Sequence, residues 1–271
     1  MQKFISISII ALALGMWFSS CSSKKEVSEK EMPEVYITCA ADANLIRFSD
    51  KDSITWYLER CHEAGINHVV LDVKPNYGKV LYRSEYLPYL DYVEGITDEP
   101  LSRDWDYLQY FIDECHRLDM RISASFSVMP CGSPYWHRGM CYQDTIYDNM
   151  LCTEYRPDGS MGDIRDSKKV AAFLNPARSD VQEYALKIIM ELVNKYDIDG
   201  FSLDYCRYPD AESDFSDFSR AAFEEYLGEK VENWPADVFS YDADGNRVDG
   251  KYIKQWWAWR AKVVSDFIRT C

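Results

Sequence analysis

Short segments with alternating apolar and polar residues constrain the fold of this chain more than any other feature. Segment 121–128 places Ile122, Ala124 and Phe126 on one side and three serines on the other, and segment 68–74 alternates in the same way. A strand that is buried on both faces of a doubly wound sheet reads instead as a continuous apolar run. Here every second residue is small or polar, so one parity, meaning one face of the strand, is polar. Such a face favours a barrel, whose mouth can hold polar side chains.

Strand and helix signals alternate along the chain, which predicts a parallel sheet with helices packed outside it. The predicted strands are 35–40, 68–74, 121–128 and a fourth within 199–209. The predicted helices are 52–64, 104–118, one that begins at Ser179 with Gln182 in a capping box, 214–227 and 251–271. Asp244-Gly245 predicts a hairpin turn. We expect an α/β fold of the TIM (β/α)8-barrel type, as an incomplete N-terminal part with about four to five βα units.

The last predicted helix has an apolar stripe of Ile253, Trp257, Val264 and Ile268, which requires a sheet to cover it. A partial barrel would leave this stripe and the sheet edges exposed. We therefore expect a truncated chain with poor solubility.

The N-terminus predicts a lipoprotein signal. Lys3 precedes an apolar run over 4–18, and a small-residue site ends at Cys21. Residues 1–20 are predicted to be the signal peptide, Cys21 to carry the lipid, 21–33 to form a flexible tether and 34–271 to form the barrel domain. An ordinary signal peptide with a chance cysteine is the alternative. The predicted location is the bacterial cell envelope outside the cytoplasm, at the outer membrane or the periplasmic face.

The net charge of −15 argues against nucleic acid and anionic lipid as partners, whereas a glycan remains compatible. Scattered cysteines without metal-type pairs predict buried thiols. Cys131, Cys141 and Cys152 fall in one long loop, where an extracytoplasmic site would permit one disulfide. No cofactor is predicted. No metal is predicted either, because the acidic residues over 210–217 lack the spacing of a calcium loop and are interpreted as a solvated helix start.

Asp204 is the candidate catalytic residue, since it would end a strand on the face where barrels build active sites. Tyr205 and Arg207 follow it and would keep it ionised and contact the substrate. The alternative is that Asp204 caps a turn or forms a structural ion pair with Arg207.

Further substrate-binding candidates follow other strands. Asp72 and Lys74 share the inward parity of their strand, and Asn76 lies in the turn after it; the first two could instead form a buried structural pair. Asn175 could bind a sugar hydroxyl or initiate a turn. Trp136 is the best placed aromatic side chain for stacking on a sugar ring.

Three runs of the sequence resemble the glycosyl-hydrolase-like family 10, a group of secreted (β/α)8-barrel lipoproteins. They are KPNYGKVLYRS from Lys74, FLNPA from Phe173 and DGFSLDYCRYP from Asp199. The resemblance covers about residues 34–271 and implies a glycan substrate, either a polysaccharide or a peptidoglycan strand. Asp204 matches the family's strand-end aspartate, while Tyr205 stands where a second acidic residue commonly follows.

These features predict a glycoside hydrolase that cleaves O-glycosidic bonds with Asp204. Such hydrolysis usually requires two carboxylates, and we expect the partner acid to be missing from a partial barrel, which would leave the chain inactive alone. A glycan-binding envelope lipoprotein without catalysis is the alternative. A purely structural envelope lipoprotein would explain the signal but not a polar barrel mouth.

Overall fold

A sheet of four parallel strands forms the centre of the fold. The computed structural model describes residues 33–40, 48–92, 97 and 99–271, and residues 34–271 form one unit. The predicted signal peptide, Cys21 and all of the predicted tether except Pro33 lie outside the described residues. No helix within the described ranges is long and apolar enough to cross a bilayer.

Ten strands and five α-helices make up the described chain. The strands are β1 (Tyr36–Cys39), β2 (His68–Lys74), β3 (Arg121–Ser127), β4 (Pro130–Gly132), β5 (Thr153–Tyr155), β6 (Met161–Asp163), β7 (Ala172–Phe173), β8 (Gly200–Asp204), β9 (Phe239–Tyr241) and β10 (Arg247–Asp249). The helices are α1 (Lys51–Glu63), α2 (Tyr107–Arg117), α3 (Ser179–Lys195), α4 (Asp217–Leu227) and α5 (Ile253–Thr270).

The parallel sheet has the order β1-β2-β3-β8, with helices in the connections between the strands. The shorter strands pair antiparallel as β4 with β7, β5 with β6 and β9 with β10. The predicted parallel sheet with four strands is therefore confirmed among the described residues, as is the hairpin at Asp244-Gly245, where Gly245 has a φ of +80°.

The main core lies between this sheet and helices α1 to α3. The apolar parities of β2 and β3 are fully buried and face the buried stripes of these helices, which include Leu58, Phe111 and Ile188. The opposite parity of β3 consists of Ser123, Ser125 and Ser127, which are also buried. A fully buried Leu or Phe side chain contributes about 1.5–3 kcal/mol, so this apolar parity determines which face of the sheet the helices cover.

The pairing of β2 with β3 shifts by one residue near the end of β2. Asp72 pairs with Ser125, whereas Lys74 pairs with Phe126, the next residue along β3. The residue between them, Val73, is thus extra on β2, as in a β-bulge, which re-aims the side chains that follow it. Asp72 and Lys74 therefore do not share one parity, and the sequence prediction that both point inward is wrong for Lys74.

A second apolar cluster covers α5. Its buried side chains come from α4, α5, β5, β9 and the segments beside them; they are Tyr155, Phe215, Phe223, Val231, Val238, Phe239, Ile253, Trp256 and Trp259. The predicted stripe on this helix is wrong in part, because Trp257 is only half-buried and Ile268 is 45% exposed, while Trp256 is fully buried. The partners of the helix, rather than its own spacing, select the buried face.

Two helix starts differ from the sequence prediction. Ser179 is the first residue of α3, but the cap position is Arg178, and no side chain caps this end. Gln182 instead donates from Nε2 to the Pro176 carbonyl at 2.8 Å. The predicted capping box is therefore wrong. Helix α4 begins at Asp217 rather than at 214, because the Ser216 hydroxyl accepts the Ser219 N–H.

Candidate active site

A cavity of about 490 Å³ opens at the carboxyl ends of β2, β3 and β8. Its walls include Asp72, Asn76, Trp136, Asp204 and Tyr205, five of the residues that the sequence singles out. Because parallel strands of a barrel end on one face, residues far apart in the sequence converge there. The structure thus brings most of the predicted site into one cavity.

Asp204 ends β8 and is solvent-exposed at the cavity wall. Its Oδ1 accepts the backbone N–H of Tyr205 at 2.7 Å, while its carbonyl accepts the N–H of Val128 at 2.9 Å. Tyr205 has a φ of +45°, in the left-handed region that residues other than glycine seldom occupy. Backbone strain of this kind concentrates at functional sites, and here it fixes the orientation of the residue that follows Asp204.

Arg207 lies outside the cavity wall. Its Nη1 donates to the carbonyls of Tyr208 and Pro209 at 2.9 and 2.6 Å, and its guanidinium lies 4.9 Å from the Tyr205 ring. Among the described residues that line the cavity, Arg207 thus contacts Tyr205. Its donors satisfy backbone carbonyls, so the expected contact with the Asp204 carboxylate is not what positions this guanidinium.

Asp72 and Lys74 have different surroundings. Asp72 lines the cavity and is partly exposed, whereas Lys74 is only 2% exposed and does not line it. The Lys74 ammonium donates to the carbonyls of Ser127 and Pro130 and lies 5.0 Å from the Phe126 ring. Burial lowers the pKa of Lys74 to about 8, although the nearby Cys131 and Asp72 oppose this shift.

Trp136 reaches the cavity from a tight hairpin. The N–H of Ser133 donates to the Arg138 carbonyl at 2.7 Å, and the N–H of Arg138 donates back at 3.3 Å. Trp136 is 54% exposed at the tip and packs edge-to-face on Tyr135, with 4.7 Å between ring centroids. The two rings form an apolar, solvent-facing wall of the kind that sugar faces stack on.

The base of this hairpin requires glycine. A Cβ atom on Gly139, which has a φ of +111°, would lie 2.5 Å from the Gly132 Cα. A Cβ atom on Gly132 would lie 2.4 Å from the Cys141 sulfur. The two strands of the hairpin therefore approach more closely than any other residue type allows, which fixes the direction of the tip.

Asn175 lies away from the cavity, in a buried polar cluster around Asp214. Its Nδ2 donates to the Asp214 Oδ2 at 2.5 Å and to the Ser219 hydroxyl at 3.1 Å, while its Oδ1 accepts the Ala177 N–H at 3.0 Å. Asp214 also accepts the hydroxyl of Ser216 and the N–H of Thr153. Burial raises the pKa of the Asp214 carboxyl, and these hydrogen bonds counteract part of that rise.

The interpretation of 210–217 as a solvated helix start is therefore wrong for Asp214, which is fully buried. Its donors come from β5, from the turn before α3 and from α4, and only the tertiary fold brings them together. The cluster ties the start of α4 to the rest of the domain, which is a structural role for both Asn175 and Asp214.

Sequence reasoning also missed Lys168 and Lys169, which line the cavity. The Lys169 ammonium lies 3.1 Å from Glu154 and 3.7 Å from Glu212, and it also pairs with Asp210. Burial and the neighbouring Asp210 raise the pKa of Glu212. Adjacent lysines before a short strand carry little signal, so only the fold could reveal this group.

Within the described part of the chain, no group of three or more His, Cys, Asp or Glu side chains could hold a metal ion. The cavity instead presents two carboxylates, Asp72 and Asp204, beside an aromatic wall and the Asn76 side chain. Two carboxylates across a cavity can divide the roles of acid and base in the cleavage of a glycosidic bond.

Comparison with known proteins gives a family match over residues 31–271, to the family described as glycosyl hydrolase-like 10. The S-layer-related protein of Niallia circulans is 34% identical over 238 residues, which cover 83% of this chain and 14% of that protein. Glycosyl hydrolase DigH of Escherichia coli K12 is 29% identical over 150 residues, which cover 54% of this chain and 32% of that protein. Glycosyl hydrolase YngK of Bacillus subtilis 168 is 26% identical over 248 residues, which cover 87% of this chain and 46% of that protein. The chain thus spans less than half the length of these relatives.

Two solved structures share the fold at low sequence identity. Alpha-L-fucosidase isoenzyme 2 from Paenibacillus thiaminolyticus has a TM-score of 0.55 and 13% identity, covering 87% of this chain and 29% of that chain. The PgaB (BpsB) glycoside hydrolase domain from Bordetella bronchiseptica has a TM-score of 0.51 and 13% identity, covering 87% of this chain and 62% of that chain. The predicted TIM-barrel type of α/β fold is confirmed, with four of its parallel strands among the described residues.

Proposed function

This chain belongs to the glycosyl hydrolase-like 10 family, and from that premise we propose that it acts on a glycan by hydrolysing O-glycosidic bonds in the cavity at Asp204. The observation that carries the proposal is the presence of Asp72 and Asp204 in one cavity at the carboxyl ends of parallel strands. Trp136 and Tyr205 offer ring faces to a sugar, and Asn76 offers an amide to its hydroxyls.

Asp204 acts in this proposal as one catalytic carboxylate and Asp72 as the other. The Lys74 ammonium lies close enough to Asp72 for their charges to interact. Asp204 is the more exposed of the two carboxylates, and the Arg207 guanidinium donates to backbone carbonyls. One carboxyl group would protonate the leaving oxygen as the acid, and the other would activate a water molecule as the base.

The four parallel strands support a partial barrel, because β1 and β8 each have one partner strand among the described residues. The side chains of Phe201 and Leu203 on β8 are only half-buried. A sheet edge that bears a catalytic residue is less rigid than a strand paired on both sides. We therefore expect glycan binding with slow hydrolysis by the 271-residue chain alone.

The test compares glycan binding and product release by the wild type, Asp204→Asn and Asp217→Asn. Asp217 is exposed on α4 and outside the cavity wall, so its variant is the matched control. A panel of neutral polysaccharides and peptidoglycan strands serves as substrate, with calorimetry for binding and chromatography for released sugars.

We expect all three proteins to bind, and we expect product release by the wild type and the control to exceed that of Asp204→Asn by at least about 100-fold. Binding with no products from any of them would support a glycan-binding module instead. The absence of any binding by the wild type would overturn the glycan proposal.

The position in the cell is a further part of the proposal. The basic residue Lys3, the apolar run over 4–18 and the small residues before Cys21 support export and lipidation at Cys21. Labelling of the bacterial host with a fatty-acid probe, followed by capture of this chain, tests it. Labelling that persists in Cys21→Ser would contradict an anchor at this residue.

A further inference from the structure

Three buried thiols lie beneath the hairpin that carries Trp136. Cys131 belongs to β4, Cys141 to a 3₁₀ turn over Met140–Tyr142, and Cys152 immediately precedes β5. Each of them is at most 2% exposed, and the structure has all three as free thiols. The sequence permits one disulfide among them but does not select the pair.

Contacts between the sulfur atoms distinguish one pair. The Cys131 thiol lies close enough to the Cys141 thiol for the two to interact directly. The Cys141 sulfur lies over the backbone of Gly132, the neighbour of Cys131, so closely that a Cβ atom there would be 2.4 Å away. The thiols of Cys131 and Cys152 donate to two different carbonyls, those of Ala172 at 3.7 Å and Leu174 at 3.6 Å, and Cys152 acts on Cys131 through charge alone. The geometry therefore favours Cys131 and Cys141.

The backbone on both sides of this pair is held in place. Lys74 donates to the Pro130 carbonyl at 3.0 Å, directly before Cys131, and the Met140 N–H donates to the Tyr77 carbonyl at 2.9 Å, directly before Cys141. Between them, the paired residues Ser133 and Arg138 close the hairpin. A disulfide forms without strain only where the backbone already brings the two residues close, and this hairpin does so.

We propose that Cys131 and Cys141 form a disulfide when the chain folds under oxidising conditions. In this step each thiol loses its proton and the pair loses two electrons to a small-molecule disulfide such as oxidised glutathione. The sulfur–sulfur bond of the oxidant breaks through a mixed disulfide, the Cys131–Cys141 bond forms, and two glutathione thiols are released.

The cross-link forms during folding rather than after it. Burial raises the pKa of the Cys131 thiol well above its usual range, although the Lys74 charge opposes that rise. The thiolate is the reactive species, so the enclosed thiols react slowly in the folded protein. The resulting bond would close the base of the hairpin and restrict the motion of Tyr135 and Trp136 at its tip.

The test refolds the urea-denatured chain in a mixture of reduced and oxidised glutathione, blocks the remaining thiols by alkylation and maps the digested peptides by mass spectrometry. We expect a linked pair of peptides that contain Cys131 and Cys141, with the mass lowered by two hydrogen atoms, in the wild type and in Cys152→Ser. In Cys141→Ser, Cys131 should be alkylated instead.

Two outcomes overturn the proposal: full alkylation of Cys131 and Cys141 in the refolded wild type, or a link from either residue to Cys152. If a variant fails to fold, the peptide map of the wild type alone tests the proposal. As a second measurement, reduction of the linked wild type should lower its urea midpoint, while the same treatment should leave the midpoint of Cys141→Ser unchanged.

Discussion

Asp72 lines the cavity, while Lys74, two residues further along the same strand, is buried and directs its ammonium at the carbonyls of Ser127 and Pro130. The shift in pairing between β2 and β3 separates the two side chains. The Lys74 ammonium nevertheless lies close enough to Asp72 for their charges to interact, and its two hydrogen bonds hold the segment after β3 in place.

Burial lowers the pKa of Lys74 from 10.5 to about 8. Because the negative charge of Asp72 opposes this shift, Asp72→Asn should lower the Lys74 pKa further. A pH titration of isotope-labelled lysine side chains by NMR measures both values. Asp217→Asn, on α4, should leave the midpoint unchanged, and a higher Lys74 pKa in Asp72→Asn would contradict the prediction.

The same pKa fixes the pH dependence of stability. Between about pH 8 and 10.5 the unfolded chain binds more protons at Lys74 than the folded chain does, so the contribution of this residue to the free energy of unfolding becomes more favourable as pH rises. We expect the difference in unfolding free energy between the wild type and Lys74→Met to move in favour of the wild type over this range. Urea denaturation at several pH values measures it; a constant difference would argue against the lowered pKa.

The stereochemical outcome of hydrolysis follows from the placement of the two carboxylates. Asp72 on β2 pairs with Ser125 on β3, and Asp204 on β8 pairs with Ser127 on β3. Two strand spacings and two residues along the strand place their Cα atoms roughly 11–12 Å apart. The Cγ of each aspartate lies about 2.5 Å from its Cα, so the two carboxyl groups can approach to no less than roughly 6–7 Å. This exceeds the separation of about 5–5.5 Å in retaining enzymes and matches the lower end of the about 6.5–9.5 Å in inverting ones. We expect inversion, seen by NMR as the opposite anomer in the first product; a retained anomer would exclude this pair of roles.

Trp136 should contribute to glycan affinity through its exposed ring. We expect Trp136→Ala to weaken binding about tenfold or more, as is common for a central aromatic residue of a binding surface. Trp56→Ala is the matched control, since Trp56 on α1 is 63% exposed but does not line the cavity. Calorimetric titration with the same oligosaccharide compares the three proteins, and equal losses in both variants would show that Trp136 has no specific role.

Asn175 should matter for stability and not for sugar binding. Removal of its amide in Asn175→Ala leaves the buried Asp214 carboxylate with fewer donors, which should cost about 1–3 kcal/mol of the free energy of unfolding. Asn194→Ala, at an exposed position on α3, should cost little. Urea denaturation measures both. Unchanged stability together with lost glycan affinity in Asn175→Ala would instead support a direct contact with the sugar.

The sequence predicted the fold well where the local pattern and the tertiary environment agree. The bounds of β2 are the predicted ones, and the serine parity of β3 correctly indicated a polar interior. The prediction failed for Lys74, because a single extra residue in a strand exchanges the faces of the residues after it and leaves no mark in the alternation.

The remaining errors have a similar origin. The spacing in α5 could not indicate that Trp256 rather than Trp257 meets the side chains of α4. An acidic run before a helix does not reveal that distant donors surround Asp214. For the site, the strand-end position of Asp204 was a local signal, whereas the lysines at 168 and 169 reach the cavity only through the folding of a long connection.

The base and the tip of the Trp136 hairpin differ in how far they tolerate substitution. Gly132 and Gly139 admit no replacement without displacing the backbone or the Cys141 sulfur, while Tyr135 and Trp136 at the tip are 70% and 54% exposed. The two aromatic positions can consequently change while the fold below them stays as it is, so variation there should alter the ligand contacts of the cavity wall without moving its carboxylates.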